Sequence, residues 1–178
     1  MRDRDTRLAV LFEQHAPRLF VYARRQAGPA DAEDLVSEAF VVALRRLDDL
    51  PSDSGEAFAW LVGTVRKLAA NHRRRRDTQD RYWRDAVRDG WHATGSPEDT
   101  VADRERCLAA LAELSTADRE LLLLVAWEGL TNDQAASVLG ISRNTLAVRM
   151  FRARQRLEDH LNPGPNLQAI STKDQAHA

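Results

Sequence analysis

Apolar residues recur along this chain with helical spacing, and the polar residues between them change character from segment to segment. Leu8, Leu11, Phe12, Leu19, Phe20 and the pair Tyr22 and Ala23 describe a helical start. Pro17 falls inside it and lacks a backbone donor, so a kink or a new helix is expected there. Gly28 and Pro29 close the segment. Asp31 is placed to cap a second helix, with Glu33 and Asp34 in its first turn, where the positive helix end favours acids. That helix continues through Leu35, Val36, Phe40, Val41, Ala43, Leu44 and Leu47 and ends near Asp48; so wide an apolar band suits a helix packed between others. LPSDSG, Leu50 to Gly55, reads as a loop. A third helix is predicted from about Glu56 to Arg76, with Phe58, Leu61, Val62, Val65, Leu68 and Ala69 inward and Trp60 near the edge.

The period fades between Asp77 and Pro97, where charges mix and Gly90, Gly95 and Ser96 interrupt; Tyr82, Trp83 and Trp91 lie in this stretch. It resumes with Val101, Cys107, Leu108, Leu111 and Leu114. Ser115 is placed to cap the next helix, which buries Leu121, Leu122, Leu124, Val125 and Trp127 and ends at Gly129. Asn162 to Ala178 holds two prolines and few apolar residues, as a disordered tail would. The expectation is an all-α chain of two small helical domains, 1–77 and 98–161, joined by a flexible linker, 78–97, with the tail at 162–178.

Thr131 to Leu157 is the most legible stretch. Thr131 can cap a short helix, with Gln134 reaching back to complete a capping box. Gly140 suits a left-handed helix end, Ile141 plugs the turn, and Ser142 caps a second helix. Leu146, Met150, Ala153 and Leu157 fall on one face of that helix, while Arg143, Asn144, Arg149, Arg152 and Arg154 occupy the others. A glycine turn between a short helix and an arginine-rich one is the outline of a DNA-reading helix-turn-helix. The plain alternative is a helical hairpin with a solvated arginine face. A merely solvated face mixes signs, and this helix carries no acid until Glu158 and Asp159.

Charge sharpens this reading. The formal net charge of −1 means that affinity for nucleic acid must come from local patches. A second patch exists: the third helix turns basic at Arg66, Lys67 and His72 and reaches four consecutive arginines at Arg73 to Arg76. Cations also suit a helix C-terminus, but four in a row exceed that need. With Trp60 as a stacking surface, they fit a site for unpaired nucleic acid. Two such sites on one tether bind together when their spacing suits it.

Other classes fit less well. Cys107 is the single cysteine, which rules out an intrachain disulfide and a cysteine-based zinc site. No metal-ligand spacing links His15, His72, His92, His160 and His177, and no phosphate-cradling glycine loop or nucleophile motif is present. Neither a cofactor nor catalysis is expected. The longest apolar run, Leu121 to Trp127, is too short to span a bilayer, and the charged start is unlike a signal peptide; a cytoplasmic protein without membrane insertion is expected. A one-component helix-turn-helix regulator that binds DNA without polymerase is the main rival. A module that binds only protein is opposed by the arginine face.

DAEDLVSEAFVVALRR (Asp31 to Arg46), AFAWLVGTVRKLAANHRRRR (Ala57 to Arg76) and LSTADRELLLLVAWEGLTNDQAASVLGISRNTLAVRMFRARQRL (Leu114 to Leu157), in that order, resemble the extracytoplasmic-function sigma factors of bacterial RNA polymerase. The resemblance implies a first domain like sigma region 2 and a second like sigma region 4. It implies that Asp34, Glu38 and Arg45 dock on core RNA polymerase. It implies that Trp60, Arg66, Lys67, Asn71, Arg73 and Arg74 meet the minus-ten element of promoter DNA, where a flipped base would enter a pocket beside the Leu50 to Gly55 loop. Ser142, Arg143, Asn144, Thr145, Ala147, Arg149 and Arg152 would meet the minus-thirty-five element. An anti-sigma factor is a further partner that the resemblance suggests. Three positions depart from the family's habit: Lys67 where asparagine is frequent, and Ala147 and Val148 where lysine and serine are. An alanine methyl can touch thymine but cannot read a guanine edge, so base reading shifts toward Arg143, Asn144 and Arg149.

Overall fold

The computed structural model of the protein describes residues 2–73 and 101–162, and within these seven helices and no strands. They are α1 (Arg2–Ala27), α2 (Pro29–Arg45), α3 (Ser54–Arg73), α4 (Val101–Glu113), α5 (Thr116–Ala126), α6 (Asn132–Leu139) and α7 (Arg143–Leu161). The expected linker, the run Arg74 to Arg76 and the tail beyond Asn162 lie outside the described residues.

The first three helices pack on one another, and α7 packs on α4, α5 and α6. Leu19, Tyr22, Leu35, Ala39, Leu61, Val62 and Val65 fill the first unit; Leu121, Leu124, Ala135, Leu146 and Ala153 fill the second. The two units also meet, because α3 lies against α6. They adjoin at Gly63, where an added Cβ would make ordinary contact with Val138, 3.8 Å from a methyl and 4.0 Å from its Cα.

Several boundaries differ from expectation. α1 runs unbroken through Pro17, so no new helix begins there. Pro17 and Glu13 both lie on the exposed side, where water can satisfy the Glu13 carbonyl that proline leaves without a donor. Asp31 does not cap α2. Gly28 does, with a φ of 88° that suits only glycine, and Pro29 takes the first helical position, where its missing N–H costs nothing. α2 stops at Arg45 rather than near Asp48, and Leu47 is buried in the turn that follows. α3 starts two residues early, at Ser54, because the Asp53 carboxylate accepts the Glu56 N–H at 2.9 Å. Val41 and Leu44, expected in the core, are 48% and 42% exposed. Val125 and Trp127 are half-buried at the edge of the second unit. α5 ends at Ala126, capped by Trp127, before Gly129 is reached. No described helix is long and apolar enough to cross a membrane.

Candidate nucleic-acid interface

The helix-turn-helix is built by local chemistry. The Thr131 hydroxyl accepts the Gln134 N–H at 3.2 Å, and the Gln134 side-chain oxygen accepts the Thr131 N–H at 2.9 Å, so two orphan donors of α6 are satisfied reciprocally. Gly140 closes α6 in the left-handed region, with φ of 68°. The Ile141 N–H then reaches back to the Ala136 carbonyl at 3.1 Å and fixes the turn. Ser142 caps α7 by accepting the Thr145 N–H at 3.1 Å, and its hydroxyl lies 2.8 Å from that of Thr145.

Leu146, Met150 and Ala153 form the buried stripe of α7. Ser142, Arg143, Asn144, Thr145, Ala147 and Arg152 are exposed, so six of the seven residues expected to meet DNA stand in solvent. Arg149 is half-buried on the flank of the helix. Arg143 lies 3.1 Å from Asp133 across the turn, with both side chains mostly exposed. Such a pair contributes little and gives way to a phosphate at small cost. Arg156 is committed inward, to Asp118, which the fold holds nearly buried at the start of α5. Two features here are not evident from the sequence: Val148 and Phe151 are 50% and 63% exposed on this same helix.

The first unit presents its residues differently. Trp60, Gly63, Thr64 and Lys67 of α3 line a groove of 610 Å³ whose opposite wall is Asp133, Gln134, Ser137 and Val138 of the second unit. Trp60 is half-buried, while Lys67 and Asn71 are exposed. Arg66 donates to the Glu120 carboxylate of α5 at 2.8 and 3.3 Å. That hydrogen bond outweighs the desolvation of the guanidinium and raises its pKa. Arg73 is the last described residue of α3, and Arg74 lies beyond it.

Further cross-unit contacts back this one. Arg25 of α1 pairs with Glu128, with side-chain exposures of 3% and 4%. Burial lowers the Arg25 pKa to about 10, which leaves it charged at neutral pH. Arg18 stacks over Phe58 at 4.0 Å and donates to the Glu128 carbonyl at 2.7 Å. Sequence reasoning does not single out Glu120, Glu128, Arg18 or Arg25. The one signal it could use is a pair of glutamates flanking the apolar run Leu121 to Trp127.

Asp34, Glu38 and Arg45, the expected polymerase contacts, share one face of α2 and line a shallow depression of 440 Å³ with Val41, Val42 and Leu68. Glu38 also sits 3.5 Å from His72 of α3. Exposed Val41 and Leu44 on this helix give it the apolar surface that a docking face needs.

Residues 11–79 match the protein-family model for Sigma-70 region 2, and residues 104–157 that for Sigma-70, region 4. The RNA polymerase sigma factor CnrH of Cupriavidus metallidurans is 32% identical over 158 residues, which cover 83% of this chain and 82% of the relative. The ECF RNA polymerase sigma factor EcfG of Rhodopseudomonas palustris is 33% identical over 79% of this chain and 77% of its own length. The ECF RNA polymerase sigma factor BldN of Streptomyces coelicolor is 29% identical, but the match spans only 57% of its length. Among solved structures, the sigma factor RpoE in complex with the anti-sigma factor NepR from Bartonella quintana aligns with a TM-score of 0.59 at 25% identity, over 91% of this chain and 98% of that one. CnrH in complex with the cytosolic domain of CnrY aligns with a TM-score of 0.57 at 26% identity, over 89% of each chain.

Proposed function

From the premise that this chain belongs to the extracytoplasmic-function sigma factors of the sigma-70 family, we propose that it docks on core RNA polymerase through α2 and reads promoter DNA with α3 and α7. The division of labour follows the two units: residues 1–77 for polymerase docking and the minus-ten element, and 98–161 for the minus-thirty-five element. Asp34, Glu38 and Arg45 are the docking residues. Trp60, Arg66, Lys67 and Asn71, with Arg73 and Arg74 beyond them, serve the minus-ten side. Ser142, Arg143, Asn144, Thr145, Ala147, Arg149 and Arg152 serve the minus-thirty-five side.

The observation that carries this reading is the pair of basic helices in one chain, each on its own packed unit. A one-component regulator needs only α7 and leaves the tryptophan and cations of α3 without a task. The protein acts in the cytoplasm, as a partner of the polymerase, and contributes position rather than catalysis.

The arrangement of the units adds a condition. While Glu120 holds Arg66 and α6 walls the groove beside Trp60, part of this face of α3 is taken up by the second unit. The units therefore separate before the promoter is engaged. RpoE and CnrH were each solved with an anti-sigma partner, and a protein of that class is proposed as a partner here as well.

The test adds the purified protein to core polymerase on a genomic template library. New promoter-dependent transcripts are expected. Operator binding that needs no polymerase, with no transcripts, would overturn the proposal in favour of the one-component regulator.

A further inference from the structure

The outer face of α7 holds an apolar ridge. With 3.6 residues per turn, the line opposite the buried Leu146, Met150 and Ala153 passes through Asn144, Val148 and Gln155, with Phe151 beside it. Val148 therefore stands at the crest of the helix, not on its flank, and it is half exposed. Phe151, one turn on, is more exposed still. Single exposed apolar residues are ordinary. Here two adjacent ones occupy the crest of a helix whose flanks carry Arg143, Arg149, Arg152 and Arg154.

Those flanks decide what the ridge meets. Arginines on either side of a helix seat it in a groove, reaching phosphates at the rims and base edges at the sides, and they place the crest against the base edges. A valine there can neither donate nor accept a hydrogen bond. Among the groups that base pairs present in the major groove, the C5-methyl of thymine is the only methyl, and it is the apolar group that projects farthest. Opposite a guanine or a cytosine, Val148 would strip water from a polar edge and give nothing back. Ala147, exposed one residue earlier, can add a second methyl contact.

We propose that Val148, with Ala147 beside it, reads thymine C5-methyl groups in the minus-thirty-five element, so that this protein selects thymine there. The inference rests on α7 being the helix that enters the groove. It makes Val148 a specificity residue and adds no catalytic role.

The full-length protein assembled with core polymerase would select promoters from a library randomised in both elements. Each thymine of the selected upstream element would then be replaced in turn by deoxyuridine, which removes the methyl and leaves every hydrogen-bonding group in place. At one or more positions binding is expected to weaken about fourfold, the loss of one buried methyl. Val148→Ser should bind the thymine and uracil forms of that position equally. Its unfolding midpoint should match the wild type, because Val148 is not part of the core. An upstream element that is selected but indifferent to uracil would overturn the methyl reading alone, as would a Val148→Ser protein that keeps the wild-type difference. No selected upstream element at all would remove the groove assignment of α7, and this inference with it.

Discussion

α3 and α7 are built alike, each a long helix with an apolar stripe on one side and cations on the other, yet they meet their surroundings differently. The basic face of α7 stands in solvent, and its inward commitments are few: Arg156 to Asp118 and the loose pair of Arg143 with Asp133. On α3 the corresponding face is partly covered by the second unit. Glu120 holds Arg66, α6 faces Trp60 across the groove, and the buried pair of Arg25 with Glu128 ties the two units behind it. Lys67 and Asn71 remain open. In the proposed division of labour, duplex reading by α7 needs only a helix with its cap in place, so it can be ready in the free protein. Reading of unpaired bases needs a tryptophan and a pocket, and apolar surface of that kind is unfavourable to leave in water.

The contrast can be broken most forcefully at Glu128. Glu128→Gln leaves Arg25 as an unpaired buried charge, at a cost of about 3–5 kcal/mol to the closed arrangement. Separation of the units offers relief, because it returns the guanidinium to water. A longer distance between spin labels on α2 and α4 is therefore expected in the variant. The double change Arg25→Met with Glu128→Leu removes both charges and should keep the short distance. If Glu128→Gln stays closed, the pair does not hold the units together.

Arg149→Ala sharpens the open side. Arg149 sits on the flank of α7, and removing a bidentate hydrogen bond from there to a base should weaken promoter binding by about 1–3 kcal/mol at one base position and leave the others alone. Uniform weakening across sequences, measured with the same variant, would mean that Arg149 holds a phosphate.

The smallest effect concerns acid. His15 is buried beneath the start of α3, 3.4 Å from the Ser54 hydroxyl and against the Phe58 ring. Burial, and to a lesser degree Arg18, lowers its pKa below the ordinary 6.5. Stability from the neutral imidazole is thus complete above that ordinary value and is lost as pH falls through it toward the folded value. Thermal unfolding followed at several pH values should show His15→Gln losing less stability on acidification than the wild type. Equal losses would remove His15 as the acid-sensitive group of the first unit.

How much of this is legible in the sequence follows from how local each feature is. The capping box of Thr131 and Gln134, the left-handed Gly140 and the Ser142 cap are all readable, because each is settled within four residues. The apolar residues of α2 mislead: Val41 and Leu44 continue the helical period but face outward. Periodicity measures direction around a helix and cannot tell a core neighbour from a partner that is not there. Pro17 and Asp31 depart from expectation because solvent exposure and a neighbouring glycine outweigh the propensity of the single residue. The ties of Glu128 to Arg25 and Arg18 join residues about a hundred positions apart, and nothing near any of them in the sequence announces them. The covered state of α3 is a tertiary fact.

That state can be locked. Gly63 and Val138 are in contact across the units, a Cβ at Gly63 lying 3.8 Å from a Val138 methyl and 4.0 Å from its Cα, so cysteines at the two positions are within reach of each other. With Cys107→Ser removing the native thiol, a Gly63→Cys, Val138→Cys protein should cross-link on mild oxidation. Oxidised protein should then fail to direct transcripts with core polymerase, and reduction should restore them. Full initiation by the cross-linked protein, or failure of the cysteines to pair, would contradict the account in which the second unit covers α3 and must leave before the promoter is read.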